Sequence, residues 1–157
     1  MEPRIVHREA FTVVGMKCRT TMADNQIPRL WEDFNPRARA VQHALFAQGC
    51  YGICFNEEGD EPGGDWFSYL AGVEVTELKD VPAGMESLLI PASDHAVFEH
   101  LGTLENLQQT YHFIYNQWLP QSEYVMLGSQ DFELYDQRFK YGLPDSVMEI
   151  WIPVSKK

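Results

Sequence analysis

The sequence predicts an α+β fold: antiparallel sheets carrying two helices, arranged as duplicated β-α-β-β halves around a pseudo-twofold groove. Three observations predict it. Extended segments rich in β-branched and aromatic residues come in runs, two amphipathic helices interrupt those runs, and the helix fragments RLWEDF and IYNQWLP stand at matching places in the two halves.

The first half opens with a strand over Ile5–Cys18, in which Gly15 stands where a bulge would. A helix follows. Asp24 or Asn25 can cap it, Pro28 suits its first turn, and Ile27, Leu30, Trp31 and Phe34 recur on one face. Asn35-Pro36 should break this helix, and Ala38, Val41 and Leu45 predict a short second helical piece that stops near Gly49. YGICF (Tyr51–Phe55) and WFSYLAGVEV (Trp66–Val75) read as the arms of a β-hairpin, because the acidic, turn-rich NEEGDEPGGD joins them. That loop lacks the spacing of an EF-hand, so it reads as a solvated tip rather than a calcium site.

In the second half, SLLIPA and HAVFEHL are short extended segments. Thr103 caps the next helix, Leu104, Leu107, Tyr111, Ile114 and Trp118 form its apolar seam, and Pro120 ends it. Such a seam is packing, and Trp118 is assigned to the core. Three strands close the chain, near Tyr124–Leu127, at Phe132–Asp136 and at Val147–Val154.

Composition bounds the function. The 157 residues make one domain, 1–157, and the 45% hydrophobic share is too high for a disordered segment. Lys+Arg 12 against Asp+Glu 23 gives a net charge of −11, which argues against direct nucleic-acid contact. No stretch approaches the ~20 apolar residues of a membrane span, and the N-terminus lacks a signal peptide. The odd count of three cysteines, without a CxxC pair, reads as thiols in a reducing cytoplasm. The five histidines show no HExxH or other metal spacing, and GxSxG, P-loop and GxGxxG motifs are absent. A catalytic Cys50 or Cys54 would need a base that sequence does not place. No catalytic residue, metal or cofactor is therefore expected.

The last strand carries the informative feature. With period two, Met148, Ile150 and Ile152 share one face, while Val147, Glu149 and Trp151 share the other. A carboxylate thus lies beside a large indole on a mostly apolar strand. Buried without a partner it must take a proton or find a cation. If that cation is a ligand, aromatic rings would help hold it, at ~0.5–2 kcal/mol each. The competing reading is an internal pair with Arg138 or Lys140, or an edge-exposed side chain, and the strand alone favours it.

LWEDF, YGICF, YLAGVEV, IYNQWLP, FELYDQRF and EIWIPV occur in one order from about Ile5 to Val154. Together they resemble the GyrI-like, AraC-type effector-binding domain, a family of bacterial multidrug-sensing modules. The resemblance implies two strand–helix–strand–strand halves enclosing a groove. It also implies a final-strand glutamate that meets lipophilic cations among stacked tyrosines and tryptophans. Carried over, that carboxylate is Glu149, with Trp151 on the same side, Tyr51 and Tyr69 as aromatic walls, Trp31 as a further wall and Trp66 at the mouth. Regulators of this type carry a DNA-binding domain before the effector domain, whereas this chain starts at the first strand, so a stand-alone form is expected.

The expected function is cytoplasmic binding of amphipathic cations. The resemblance also implies two alternatives: inhibition of DNA gyrase through a protein interface or partnership with a separate regulator, and hydrolysis of reactive cyclopropane-bearing compounds with Glu149 and Tyr69 assisting water attack.

Overall fold

The computed structural model describes residues 1–128 and 130–157. Among the described residues there are nine strands: β1 (Arg4–Arg8), β2 (Phe11–Thr20), β3 (Cys50–Phe55), β4 (Phe67–Val75), β5 (Glu86–Ile90), β6 (Ser93–Leu101), β7 (Tyr124–Met126), β8 (Asp131–Tyr135) and β9 (Val147–Lys156). All pairings are antiparallel, and the order is β1-β6-β9-β8-β3-β4-β2-β5, with β7 on β9. The two main helices are α1 (Ile27–Phe34) and α2 (Leu107–Phe113). No helix among the described residues is long and apolar enough to cross a membrane.

The α+β class and the duplicated halves stand. Strand β2, α1, β3 and β4 make one half, β6, α2, β8 and β9 the other, and β3 meets β8 at the centre. The predicted first strand is in fact two, β1 and β2, bent at Glu9-Ala10. Arg8 pairs Ser93 and Phe11 pairs Ile90 in one continuous register, so β1–β2 and β5–β6 run as two bent strands paired along their length. This pairing carries the sheet back on itself, because β2 also pairs β4 and β6 also pairs β9.

Directly opposed residues of a ladder point to the same face. One row across the sheet is therefore Met16, Ala71, Gly52, Glu133, Ile150 and Phe98. This face carries both helices: Leu30 and Phe34 of α1 pack on Tyr69 and Ala71, and the α2 seam packs on Phe98, Met148, Ile150 and Ile152. The other face holds the aromatic core of Phe11, Tyr51, Ile53, Leu70, Phe132 and Trp151. Glu133 of β8 lies between the territories of the two helices.

Several local expectations are corrected. Gly15 is no bulge; it pairs in register with Gly72 and Glu86, and a Cβ there would strike the Ala71 carbonyl. The α-helix ends at Phe34, at the expected Asn35-Pro36, but the chain continues as a 3-10 stretch over Asn35–Ala40, since proline is tolerated in a first turn. Val41–Leu45 is not helical: Ala44 bridges Val75. The second helix begins as a 3-10 turn at Leu104–Asn106, and after α2 it widens into a π turn at Ile114–Trp118. It then passes through Pro120 to Gln121, because the missing N–H falls in the first turn of a new α segment. The acidic hairpin tip is tethered: Lys17 holds Glu57 at 2.8 Å and Arg19 holds Asp60 at 2.7 Å. Trp118 packs on Phe98 and Tyr124, as its core assignment requires.

Candidate functional site

Glu149, expected as a free counter-charge, already has its cations. It lies on the face away from the helices, where Arg4 and Arg138 donate to Oε2 at 3.0 and 2.9 Å and Trp151 donates to Oε1 at 3.0 Å. Burial alone would raise this carboxyl, but the hydrogen bonds from Trp151, Arg4 and Arg138 hold it below its ordinary range. The internal pair with Arg138, weighed in the sequence, is what the structure contains. Arg138 also holds Glu99, which stands directly opposite Glu149, so the guanidinium separates two facing carboxylates.

The other five expected site residues do not form one site. Trp151 lies with Glu149 and stacks on Phe132 within the core. Tyr51 is buried in the same core, where it accepts from Arg8 at 3.0 Å and donates to Glu74 at 3.1 Å. Burial pushes its phenol up to about 12. Trp66 precedes β4 and is 54% exposed. Tyr69 and Trp31 do come together on the helix-bearing face, around a carboxylate that sequence reasoning missed.

That carboxylate is Glu133. It is 5% exposed, and three phenols hold it: Tyr69 and Tyr135 donate to Oε1 at 2.8 and 2.9 Å, and Tyr111 donates to Oε2 at 2.6 Å. The Trp31 indole N–H donates to the Tyr69 hydroxyl at 3.2 Å, and its ring meets Tyr69 and Tyr135 edge-on. Each element has a reason to deliver its group. Gly52 faces Glu133 across the ladder and lacks the Cβ that would strike the Tyr69 hydroxyl. The helix-bearing faces of β4 and β8 carry Tyr69 and Tyr135, α1 brings Trp31, and α2 brings Tyr111.

A second carboxylate, Asp131, sits two residues earlier on β8 and is 7% exposed. Tyr115, from the π turn, donates a hydrogen bond to it. Tyr111 and Tyr115 stack with ring centroids 6.4 Å apart and planes 5° from parallel.

The electrostatics follow from burial without positive charge. Among the described residues, no cationic side chain pairs with Glu133 or Asp131. Burial raises the Glu133 carboxyl above its usual range, and the hydrogen bonds from Tyr111, Tyr69 and Tyr135 only partly oppose this. Asp131 is pushed up to about 7, again by burial first, with the negative charge of Glu133 adding to it. Tyr69, Tyr111 and Tyr135 are held well above the usual phenol range, chiefly by burial and then by the Glu133 charge, so they stay protonated donors. Two open clefts, of about 650 and 570 Å3, lie along α2 and the N-terminal residues, and neither carboxylate lines them.

Chemically, an anionic floor edged by rings can accept a cation whose charge the protein itself does not neutralise. The signal for it was the alternation Asp131, Glu133, Tyr135 within DFELY, a pattern that a solvated strand face shows equally.

Comparison with known proteins agrees with this architecture. The family model described as GyrI-like small molecule binding domain matches residues 1–155. The transcriptional regulator BrlR of Pseudomonas aeruginosa is 38% identical over 155 residues, which is 98% of this chain. The chain spans 56% of that relative's length. Among solved structures, SAV2435 bound to tetraphenylphosphonium superposes with a TM-score of 0.80 at 21% identity, covering 99% of this chain and 94% of that one. A Vibrio cholerae integron cassette protein gives 0.71 at 20% identity, covering 99% and 97%. The regulator EcmrR, in a DNA-bound complex, gives 0.72 at 13% identity, covering 99% of this chain and 58% of that one. These structural likenesses carry the fold, and the family match places the chain: it belongs to the GyrI-like small molecule binding domains.

Proposed function

We propose that the groove between α1 and α2 binds an amphipathic organic cation, with Glu133 as counter-charge and Trp31, Tyr69, Tyr111 and Tyr135 as its aromatic surround. The observation that carries this reading is a buried carboxylate held only by neutral phenols. A buried anion left in that state is poorly compensated, and an incoming positive charge relieves it. That SAV2435, the structural relative described above, was solved with tetraphenylphosphonium supports the choice of ligand class. Recognition by ring faces and one charge reads sign and shape, which suits a broad ligand range.

Trp31, Tyr111 and Tyr135 are the half-buried members of the surround, so entry proceeds by their turning aside. The domain would serve as a ligand-sensing part in gene regulation, in line with its resemblance to BrlR. Free thiols at Cys18, Cys50 and Cys54 suit an intracellular setting. Neither the family match nor the curated relative favours gyrase inhibition or hydrolysis of cyclopropane-bearing compounds.

Titration with tetraphenylphosphonium, followed by tryptophan fluorescence, tests the reading. Glu133→Gln keeps an acceptor for the phenols but removes the charge, and affinity should fall about 30-fold or more, as for a buried charge pair that loses one partner. An unchanged dissociation constant in Glu133→Gln overturns it.

A further inference from the structure

The floor of the groove carries its anionic unit twice. Asp131 and Glu133 lie on the same face of β8, so their Cα atoms are about 7 Å apart along the strand. Each takes a hydrogen bond from its own phenol on the helical segment above, Tyr115 for Asp131 and Tyr111 for Glu133. Those two rings are parallel, with centroids 6.4 Å apart, so the two phenols reach the two carboxylates side by side. We propose that this groove is built for dications, with one positive centre over Glu133 and a second over Asp131. The proposal rests on the reading of Glu133 as a cation site and deepens it.

The neighbours of Asp131 leave little else for it to meet. Cys54 stands opposite it on β3, Tyr69 comes from β4, Tyr111 from α2 and Tyr115 from the π turn, and the facing positions of β9 are the apolar Ile150 and Ile152. Glu133 is its charged neighbour on the same strand. Asp131, raised to about 7, is partly protonated near neutrality, and its proton is what now substitutes for a cation. A monocation over Glu133 removes only the part of the Asp131 shift that the Glu133 charge adds, and burial keeps most of that proton in place. A dication neutralises both carboxylates and expels the proton to solvent, so its binding is accompanied by proton release and strengthens as pH rises through neutrality.

The test compares two probes of nearly equal shape, the dication N,N′-dimethyl-4,4′-bipyridinium and the monocation N-methyl-4-phenylpyridinium, by calorimetry in buffers of different ionisation enthalpy. The wild-type protein should bind the dication about tenfold more tightly, with more proton release for the dication than for the monocation. Asp131→Asn, which keeps the side-chain volume, should bring the two affinities together by weakening the dication and leave the monocation unchanged. Equal affinities in the wild type, or equal weakening of both probes by Asp131→Asn, overturn the proposal. The wild-type comparison stands even if the variant misfolds. If neither flat probe binds while tetraphenylphosphonium does, the dication proposal falls and the Glu133 site survives. If tetraphenylphosphonium also fails to bind, both fall.

Discussion

Glu133 and Glu149 are equally buried, at 5% exposure each, and sit on adjacent central strands facing opposite ways. Burial raises both. The donors then decide the outcome: guanidinium groups and an indole take Glu149 below its ordinary range, while neutral phenols leave Glu133 above it. A hydrogen bond from a neutral group satisfies a lone pair, whereas a bond from a cation also cancels charge. The lesson is that depth does not identify a binding carboxylate. Glu149 belongs to a network that ties β1 through Arg4, and the segment after β8 through Arg138, onto β9; it is a structural charge. Glu133 and Asp131 retain unspent charge, and the helices cover them with aromatic rings.

Acidity should separate the two faces most strongly. Asp131 has a folded pKa raised from 3.8 to about 7, so the stability it contributes is full below 3.8 and is lost as pH rises through about 7. Glu149 has a lowered folded pKa, so its contribution is present above 4.5 and is lost as pH falls through the lowered value. The two faces thus pull stability in opposite directions with pH. Asp131→Asn should gain on the wild type by up to about 4 kcal/mol between pH below 3.8 and pH above about 7, from the ~1.4 kcal/mol that each pKa unit represents. Urea unfolding at both ends of that range measures it. A constant difference between the two proteins would remove Asp131 from the comparison.

Breaking the other side comes next in size. Glu149→Ala leaves Arg4 and Arg138 without their shared buried partner and opens a gap beside Trp151. Both guanidiniums are partly exposed and can turn to water, so the loss should be about 2–3 kcal/mol rather than the larger cost of stranding a fully buried charge. Tetraphenylphosphonium affinity should change less than about twofold, because the carboxylate faces away from the groove. A large affinity loss in Glu149→Ala with none in Glu133→Gln would exchange the roles assigned here to the two glutamates.

The strand parity that separates these residues was legible in the sequence, and the class, the duplicated halves and the central hairpin followed from local pattern. Period two placed Glu149 with Trp151 and away from Ile150 correctly. It could not show that Arg4, 145 residues away in the chain, completes the pair. Nor could it show that the polar face of FELYD is roofed by two helices, since alternation looks the same over a solvated face and a covered one. Tyr111 was assigned to a packing seam, which its ring does join, but the hydroxyl at its end reaches Glu133. The π turn hid Tyr115 further, because a widened turn shifts the helical phase that a periodicity argument assumes constant.

The smallest effect sharpens the phenol side. In Tyr69→Phe the ring remains in place but Glu133 loses one of its two donors on Oε1, and the Trp31 N–H loses its acceptor. The space next to Gly52 stays open where the hydroxyl had been. A hydrogen bond to a charged group is worth about 1.5–3 kcal/mol, but Tyr135 remains on the same oxygen, so the stability loss should be about 1 kcal/mol. The phenols oppose the upward pull of burial on Glu133, so removing one should raise this carboxyl further. Tetraphenylphosphonium binding should then require a higher pH for half-maximal affinity in Tyr69→Phe than in the wild type. Tyr51→Phe, on the core face beside Arg8 and Glu74, should leave that pH midpoint where it was. If both variants move the midpoint alike, the phenols are packing for the whole sheet, and the contrast between its two faces loses its chemical basis.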